Sequence, residues 1–233
     1  MRPTQTLPIY VQISEMLIRD IMAGRLVDGE RLAPEREMSK QLGISVGTLR
    51  KALSDMEEKG VLERRHGSGN YVRAKSDVAS VYSFFRVELH SGGGLPTADI
   101  LSVDRVSKPE GAPKFGTESD GYRIRRLRKL NAIPAVLEEI WLDGAQAKSL
   151  SKGTLGESLY LYYRNSLNLW ITKAEDRIGQ RQVPDWAPQE FGVSHGAPSP
   201  CVARLSYNQD GQAVEYSVNW INSDVAHYVA RIG

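Results

Sequence analysis

Cysteine is nearly absent from this sequence of 233 residues, since Cys201 is the only one. A single cysteine excludes an intramolecular disulfide and any zinc site built from a cysteine cluster. Because Cys201 lies in an apolar stretch, we interpret it as a buried side chain and not as a nucleophile. The four histidines are isolated from one another and show no metal-ligand spacing. We therefore expect neither a metal nor another cofactor.

Long apolar runs and a large excess of one charge are also missing. No apolar stretch approaches the roughly 18 residues of a membrane span, so we expect a cytoplasmic protein without a span or a signal peptide. Hydrophobic residues make up 41% and charged residues 25% of the chain, which is typical of folded domains. The net charge of +2 is too small to indicate nucleic acid by itself. Any such function must follow from where the charges lie.

The stretch from Pro34 to Val72 carries the densest local signals. A short helix is predicted to begin at Pro34 and to end at Gly43, where a left-handed conformation suits glycine. Ser45 is predicted to cap a second helix, whose apolar residues recur at helical spacing. Two short strands follow around a glycine-rich turn. With a further helix predicted over residues 8–23, this order is the winged helix-turn-helix arrangement.

The polar side of the second predicted helix is suited to DNA. Small residues and hydroxyls at its start allow close approach to phosphates, and an arginine can read a guanine edge. A solvated helix face beside a basic turn is the alternative, but the compact order of these elements favours DNA. The candidate DNA-binding residues from this pattern are Ser45, Gly47, Thr48, Arg50 and Lys51 on the helix, with Arg65, His66 and Gly67 at the turn.

Three boxes in this region resemble the GntR family of bacterial transcription regulators. They are LAPERE (Leu32–Glu37), ISVGTLRKAL (Ile44–Leu53) and GSGNYV (Gly67–Val72). The resemblance implies DNA contacts by Arg36, Ser45, Gly47, Thr48, Arg50 and Gly67. The family usually has an arginine after the helix-opening serine or threonine, where this chain has Val46. One base contact is therefore either missing or replaced by an apolar contact, such as one to a thymine methyl group.

We predict a DNA-binding domain over residues 1–73, a linker over residues 74–80 and a second domain over residues 81–233. The second domain reads as α+β, with paired antiparallel strands and helices on one side. We expect strands near residues 101–106, 122–130, 135–141, 167–182, 200–208 and 214–222. We expect helices over residues 84–90, 155–163 and 184–191.

The strand predicted over Tyr122–Leu130 is rich in arginine. Because side chains alternate along a strand, Arg126 and Arg128 share one face while Arg125 lies on the other. Adjacent arginines need an anion between them, which could be a glutamate of the next strand or an anionic ligand. The spacing slightly favours ion pairs with Glu138 and Glu139.

The second domain resembles the UTRA effector-binding domain of the HutC subfamily of GntR regulators, which has a chorismate lyase-like fold. The resemblance lies in RLRKLNAIPAVLE (Arg126–Glu138) and in Val214-Glu215-Tyr216-Ser217 after Asp210-Gly211. It implies an effector pocket in which two arginines hold an acidic group and two glutamates bind hydroxyls or amines. The candidate effector-binding residues are Ser83, Arg126, Arg128, Glu138, Glu215 and the neighbouring Tyr216.

Together these resemblances imply a homodimeric, ligand-responsive repressor. It would bind double-stranded operator DNA and be released by a small anionic metabolite, for which a phosphorylated sugar is one fit. Two alternatives remain open for the second domain. It could be an enzyme on the chorismate lyase-like fold, although no Ser/His/Asp or Cys/His set is visible, or a structural dimerisation domain without an effector.

Overall fold

The computed structural model describes most of the chain, namely residues 8–74, 82, 84–156 and 158–231. These residues form two compact units. The sheet unit is Val87–Tyr228, and the helical unit combines the preceding residues with the segment that begins at Val229. The sequence had assigned residues 84–86 and 229–231 to the second domain. Apart from Ala74, the expected linker lies outside the described residues, so the exact domain limits remain predictions.

The helical unit contains three helices and a two-stranded wing, as the sequence predicts. Their bounds are α1 (Ile9–Met22), α2 (Glu35–Gln41), α3 (Val46–Glu58), β1 (Leu62–Arg65) and β2 (Gly69–Val72). The apolar side of α3 packs against α1, and Leu49, Leu53 and Met56 are fully buried. Burying such side chains is worth about 1.5–3 kcal/mol each, which holds the three helices around one small core.

Local signals fix where α3 begins and ends. The Ser45 hydroxyl accepts a hydrogen bond from the Thr48 backbone N–H at 3.1 Å, which satisfies one of the open donors at the helix start. Gly43 and Gly60 precede and follow the helix with φ of 65° and 72°. Both glycines adopt the left-handed conformation in which other residues are strained, so each permits a sharp turn of the chain.

Polar contacts between α1 and α3 set the position of α3. Lys59 Nζ lies 2.8 Å from Glu15 Oε1 on α1 and 2.7 Å from Asp55 Oδ2 on α3. The Ser14 hydroxyl also donates to the Asp55 carboxylate. Partial burial of Lys59 opposes its charged form, but the hydrogen bonds that Lys59 donates to Asp55 and Glu15 outweigh burial and raise the pKa of Lys59. The ammonium therefore stays charged and holds the two helices together.

The sheet unit is built on six antiparallel strands in the order β4-β5-β6-β9-β8-β7. Their bounds are β4 (Pro96–Ser107), β5 (Asp120–Leu130), β6 (Ile133–Asp143), β7 (Ile171–Gln182), β8 (Pro198–Asn208) and β9 (Ala213–Ile221). All six predicted strands are present. A short pair, β3 (Val87–Leu89) with β10 (Ala226–Tyr228), forms a separate two-stranded sheet. The α+β class predicted from the sequence is confirmed.

Each face of the six-stranded sheet carries its own apolar core. One core contains Ile124 and Ile140 and is covered by α4 (Leu159–Leu167), whose Leu159 and Tyr163 point into it. The opposite core contains Leu127, Trp141 and Trp220, packed with Phe191 from the segment before β8. Because the two faces alternate along β5, its even-numbered arginines lie on the α4 side and its odd-numbered ones on the other.

Two predicted helices are wrong. The segment predicted as a helix over residues 84–90 instead contains β3, whose three residues are buried against β10. The helix predicted over residues 184–191 is reduced to one 3₁₀ turn, Gln189–Phe191. Pro188 explains the second error, because proline disfavours helical backbone in the residue before it. Gly192 ends that turn in the left-handed conformation, with a φ of 80°.

Candidate functional site

The start of α3 presents a small, polar tip. Ser45 and Gly47 are exposed, while Val46 and Thr48 are half-buried. The hydroxyls of Ser45 and Thr48 lie 2.9 Å apart, so the capping interaction also orders the side chains that face outward. With no Cβ at Gly47, a flat or convex surface can approach the helix backbone closely.

Arg50 projects from the second turn of α3 and is 65% exposed. Its Nε lies 2.7 Å from Glu35 Oε2 at the start of α2. An exposed ion pair of this kind contributes little to stability, but it orients the guanidinium in one direction. Lys51 is exposed beside it. The solvent side of α3 therefore presents two cations next to its small tip.

Arg64 of the wing connects the wing to α3. Its Nη2 donates to the Arg50 carbonyl and to the Ser54 hydroxyl, each at 3.0 Å, and its Nε lies 3.3 Å from Glu57. Arg64 is not among the DNA-binding residues predicted from the sequence. Its guanidinium therefore holds the wing against α3.

The tip of the wing is ordered by an aromatic residue. The Arg65 guanidinium lies 4.3 Å from the centre of the Tyr71 ring, and the Tyr71 hydroxyl lies 2.7 Å from the Ser68 hydroxyl. His66 and Gly67 form the exposed tip, where Gly67 has a φ of 71°. A cation over an aromatic ring is typically worth about 0.5–1 kcal/mol at an exposed site, so this contact favours one conformation of the wing.

A concave surface of about 450 Å³ lies between the wing and the segment before α2. Arg31 borders it, with Nε only 3.0 Å from the position that a Cβ on Gly69 would occupy. Arg36 is exposed at the start of α2. All nine candidate DNA-binding residues therefore lie in the helical unit and are exposed except Thr48, which is half-buried. They are Arg36, Ser45, Gly47, Thr48, Arg50, Lys51, Arg65, His66 and Gly67.

A buried cluster in the sheet unit brings together two arginines and a glutamate. Arg126 Nη2 lies 2.7 Å from Glu138 Oε2, and Arg128 Nε lies 2.8 Å from Glu138 Oε1. The strand register explains this arrangement, because Arg126 faces Glu138 directly across β5 and β6. All three side chains are at most 6% exposed. One carboxylate is therefore shared by two guanidinium groups in a site largely without water.

Burial and charge act in opposite directions on this cluster. Burial would raise the pKa of Glu138, but the two arginines outweigh it and hold the pKa of that carboxyl below its usual range. Burial lowers the pKa of Arg126, and the charge of Glu138 opposes this effect. The sequence left open whether the arginines pair with neighbouring glutamates or with a ligand, and ion pairs with Glu138 are present.

Glu215 lies on the same face of the sheet. Its Oε1 accepts hydrogen bonds from the hydroxyls of Tyr160 and Ser206, each at 3.0 Å. Its Oε2 has no hydrogen-bond donor among the residues that the structure describes. Burial raises the pKa of Glu215, although the nearby hydroxyls of Tyr163, Ser206 and Tyr160 oppose the rise. The carboxyl group can therefore bind a polar group of a ligand through one oxygen while the protein holds the other.

Sequence reasoning missed Tyr160, Tyr163 and Ser206. Tyr160 and Tyr163 are three residues apart on α4, and burial raises the pKa of both hydroxyls. Their helical spacing is the signal that could have placed them on one face. Ser206 could not have been found in this way, because it lies on β8 and reaches the cluster only through the strand pairing with Glu215.

One candidate effector residue, Tyr216, is not brought to this cluster. Tyr216 faces Trp141 across β6 and β9 and lies on the opposite side of the sheet, 6.2 Å from the Phe115 ring. Its predicted place in the pocket is wrong, because consecutive residues of a strand point to opposite faces. Ser83 lies outside the described residues.

Arg125 is likewise on the opposite face of β5 from Arg126. It pairs with Glu139 at 2.8 Å, and its guanidinium lies 4.5 Å from the centre of the Trp186 ring. This second ion pair is partly exposed, unlike the Arg126–Glu138–Arg128 group. It therefore provides a natural comparison for the buried cluster.

The described residues contain no group of three or more histidine, cysteine, aspartate or glutamate side chains arranged to hold a metal. Among the helices that the structure describes, none is long and apolar enough to cross a membrane.

Comparison with known proteins agrees with this two-part organisation. Residues 9–72 match the family described as bacterial regulatory proteins, gntR family, and residues 91–227 match the UTRA domain. The first match covers the three helices and the wing, and the second covers the six-stranded sheet.

Several relatives match over nearly their whole length. The HTH-type transcriptional regulator SmoD of Agrobacterium fabrum is 57% identical, with 97% of each chain covered. The HTH-type transcriptional repressor NagR of Bacillus subtilis is 28% identical over 97% of this chain and 96% of the relative. The mannosyl-D-glycerate transport/metabolism system repressor MngR of Escherichia coli is 26% identical over 93% of this chain and 92% of that protein.

The fold is shared with a solved structure. The crystal structure of YydK from Bacillus subtilis, described as a possible transcriptional regulator, aligns with 97% of this chain and all of its own, with a TM-score of 0.55 at 21% identity. The family follows from the two domain matches and from relatives that align over nearly their whole length, and the shared fold agrees with it. The chain belongs to the GntR family of bacterial transcription regulators, in the HutC-like subfamily that joins a winged helix-turn-helix to a UTRA domain.

Proposed function

We propose that this regulator is a cytoplasmic, homodimeric repressor that leaves its operator when a small anionic metabolite binds the sheet unit. The observation that supports an anionic effector is the buried sharing of one carboxylate by Arg126 and Arg128. Two guanidinium groups and one carboxylate carry an excess positive charge, and a phosphate, sulfonate or carboxylate group would balance it.

The neighbouring Glu215 supports a ligand that also carries hydroxyl or amine groups. Its Oε2 is open to a donor, whereas its Oε1 is held by Tyr160 and Ser206. An acidic group at the arginines and a donor at Glu215 together describe a sugar phosphate or another acidic sugar. The relative MngR is named for a system that handles mannosyl-D-glycerate, an acidic glycoside, and NagR is named as a repressor.

The DNA-binding part of the proposal rests on the exposed side of α3 and on the wing. In this proposal the α3 tip, with Ser45, Gly47 and Thr48, enters the major groove, while Arg50 reads a base edge. Arg36, Lys51, Arg65, His66 and Gly67 contact the backbone or the neighbouring minor groove. Val46, where the family usually has arginine, adds an apolar contact at the same surface and makes the operator differ from the family's commoner sites.

The effector site can be tested by comparing two neighbouring arginines. We would first find a ligand by thermal shift of the full chain with sugar phosphates, sugar carboxylates and sugar sulfonates. Arg126→Ala should then abolish the effect of that ligand on DNA binding while leaving the affinity for DNA unchanged. Arg125→Ala removes the same charge from the other face of the sheet and should leave the response intact.

An unchanged response in Arg126→Ala would contradict the assignment of the pocket. Incubation of the wild-type chain with the same ligand also tests the enzymatic alternative, because a second domain that is an enzyme would convert the ligand. Failure of every anionic sugar in the panel to shift the melting of the sheet unit would favour a purely structural dimerisation domain.

A further inference from the structure

The segment just before α2 is hydrogen-bonded to the wing. The Leu32 backbone N–H donates to the Asn70 carbonyl at 2.9 Å, and Arg31 forms an antiparallel bridge with Tyr71. Both partners belong to β2. The backbone of Arg31 is therefore fixed against the wing, and its side chain starts from a defined position there.

The side chain of Arg31 lies on the outer side of this pairing. Leu32 is buried, whereas Arg31 is exposed, because neighbours on extended backbone point to opposite sides. The Arg31 Nε lies 3.0 Å from the position that a Cβ on Gly69 would occupy. A glycine at that position therefore leaves the space through which the guanidinium passes along the wing.

Arg31 also differs from the arginines of the wing in its charge balance. Arg65 Nε lies 3.0 Å from Glu63 Oε1, and Arg73 pairs with the same carboxylate. Among the residues that the structure describes, none forms an ion pair with Arg31. Arg31 therefore brings a positive charge to this surface that the neighbouring carboxylates do not balance.

The concave surface beside Arg31 connects two predicted DNA contacts. It is lined by His66 and Gly67 of the wing tip and, on the side of α2, by Glu35. Glu35 pairs with Arg50 of α3 at 2.7 Å, so the carboxylate on this surface is already neutralised. A DNA strand that contacts both the wing tip and Arg50 would cross this surface and pass Arg31.

Phosphate is the anion that a DNA strand brings to such a position. A guanidinium can bind phosphate oxygens through two parallel hydrogen bonds, and such contacts hold a protein on the duplex without reading sequence. We infer that Arg31 is a further DNA-contacting residue, which binds a phosphate of the strand lying across the concave surface. This inference rests on the proposed function and adds a contact to DNA binding by the helical unit.

The salt dependence of operator binding tests the phosphate contact. Each neutralised phosphate contributes about 0.9 to the slope of log affinity against log salt concentration. Arg31→Ala should therefore make the slope shallower by about 0.9. Raising the salt from about 50 to about 200 mM should then weaken the wild-type chain about 3.5-fold more than the variant. The operator that Arg31→Ala selects from random DNA should stay the same, because a phosphate contact carries no sequence information.

Two further variants serve as controls. Arg31→Lys keeps the positive charge and should largely keep the slope, since an ammonium also neutralises a phosphate. Arg73→Ala removes the same charge from a residue that pairs with Glu63 and does not line the concave surface. It should leave the slope unchanged.

The outcomes distinguish this inference from the proposed function. A wild-type chain that selects no DNA sequence would contradict both. A wild-type chain that binds its operator while Arg31→Ala keeps the full salt slope would overturn the inference alone. A changed base preference in Arg31→Ala, or a slope in Arg31→Lys as shallow as that of Arg31→Ala, would also overturn it.

Discussion

Replacing Glu138 with glutamine removes the carboxylate shared by Arg126 and Arg128 while preserving the shape of the side chain. Both guanidinium groups are buried, with exposed fractions of 4% and 6%, so water cannot replace the lost charge. Breaking a buried ion pair by removing one partner typically costs about 3–5 kcal/mol. The matched control is Glu139→Gln, which breaks the partly exposed pair with Arg125 and should cost no more than about 1 kcal/mol.

Tryptophan fluorescence in urea measures this loss of stability for the sheet unit. All four tryptophans of the chain lie within the sheet unit, so the signal reports its unfolding and not that of the helical unit. With an m-value of about 2 kcal/mol/M, a loss of about 4 kcal/mol lowers the urea midpoint by about 2 M. Glu139→Gln should lower it by about 0.5 M or less.

The same unfolding experiment is repeated with an added anion. If the two arginines form an anion site, inorganic phosphate should stabilise Glu138→Gln more strongly than the wild-type chain, because it replaces the missing carboxylate. Equal midpoints for the Glu138 and Glu139 variants would refute the account of the buried cluster. A large loss of stability with no differential effect of phosphate would keep the ion pair but refute its use as an anion site.

Three further predictions concern both units. Arg50→Ala should weaken binding to a selected operator by about 1–3 kcal/mol, which is a roughly 5- to 150-fold rise in the dissociation constant measured by fluorescence anisotropy. Lys152→Ala removes the same charge from the sheet unit and should have little effect. Ser45→Asp keeps a good helix cap and should leave the circular dichroism melting curve unchanged, yet weaken operator binding because a carboxylate meets phosphate; unchanged affinity would exclude Ser45 from the interface. Because folding raises the pKa of Glu215, the free energy of unfolding should fall as the pH rises from the ordinary value of 4.5 through the raised one. Glu215→Gln should remove that slope, and parallel pH profiles of the two chains would contradict the raised pKa.

The helical unit could be predicted almost completely because its signals are local. The Ser45 cap, the turns at Gly43 and Gly60 and the apolar stripe of α3 each act within a few residues. The strand β3 could not be predicted, since its pairing partner Ala226–Tyr228 follows more than a hundred residues later. Local preference for a helix was overridden there by a pairing that no short window contains.

The buried cluster was predicted in part. The hairpin of β5 and β6 made one part predictable, because the alternation of side chains places Arg126, Arg128 and Glu138 on one face. Tyr160 and Ser206 reach Glu215 from two other elements, and only the assembled sheet brings them together. The error at Tyr216 was avoidable, because strict alternation along β9 excludes two neighbours from the same pocket.

The coupling between the two proposed sites is tested most directly by the affinity of the full chain for an operator selected from random DNA. We would measure it with and without the anionic metabolite identified by thermal shift. We expect the metabolite to weaken operator binding by about 5- to 150-fold, the usual range of allosteric coupling. An operator affinity that stays the same while the metabolite saturates the sheet unit would contradict it.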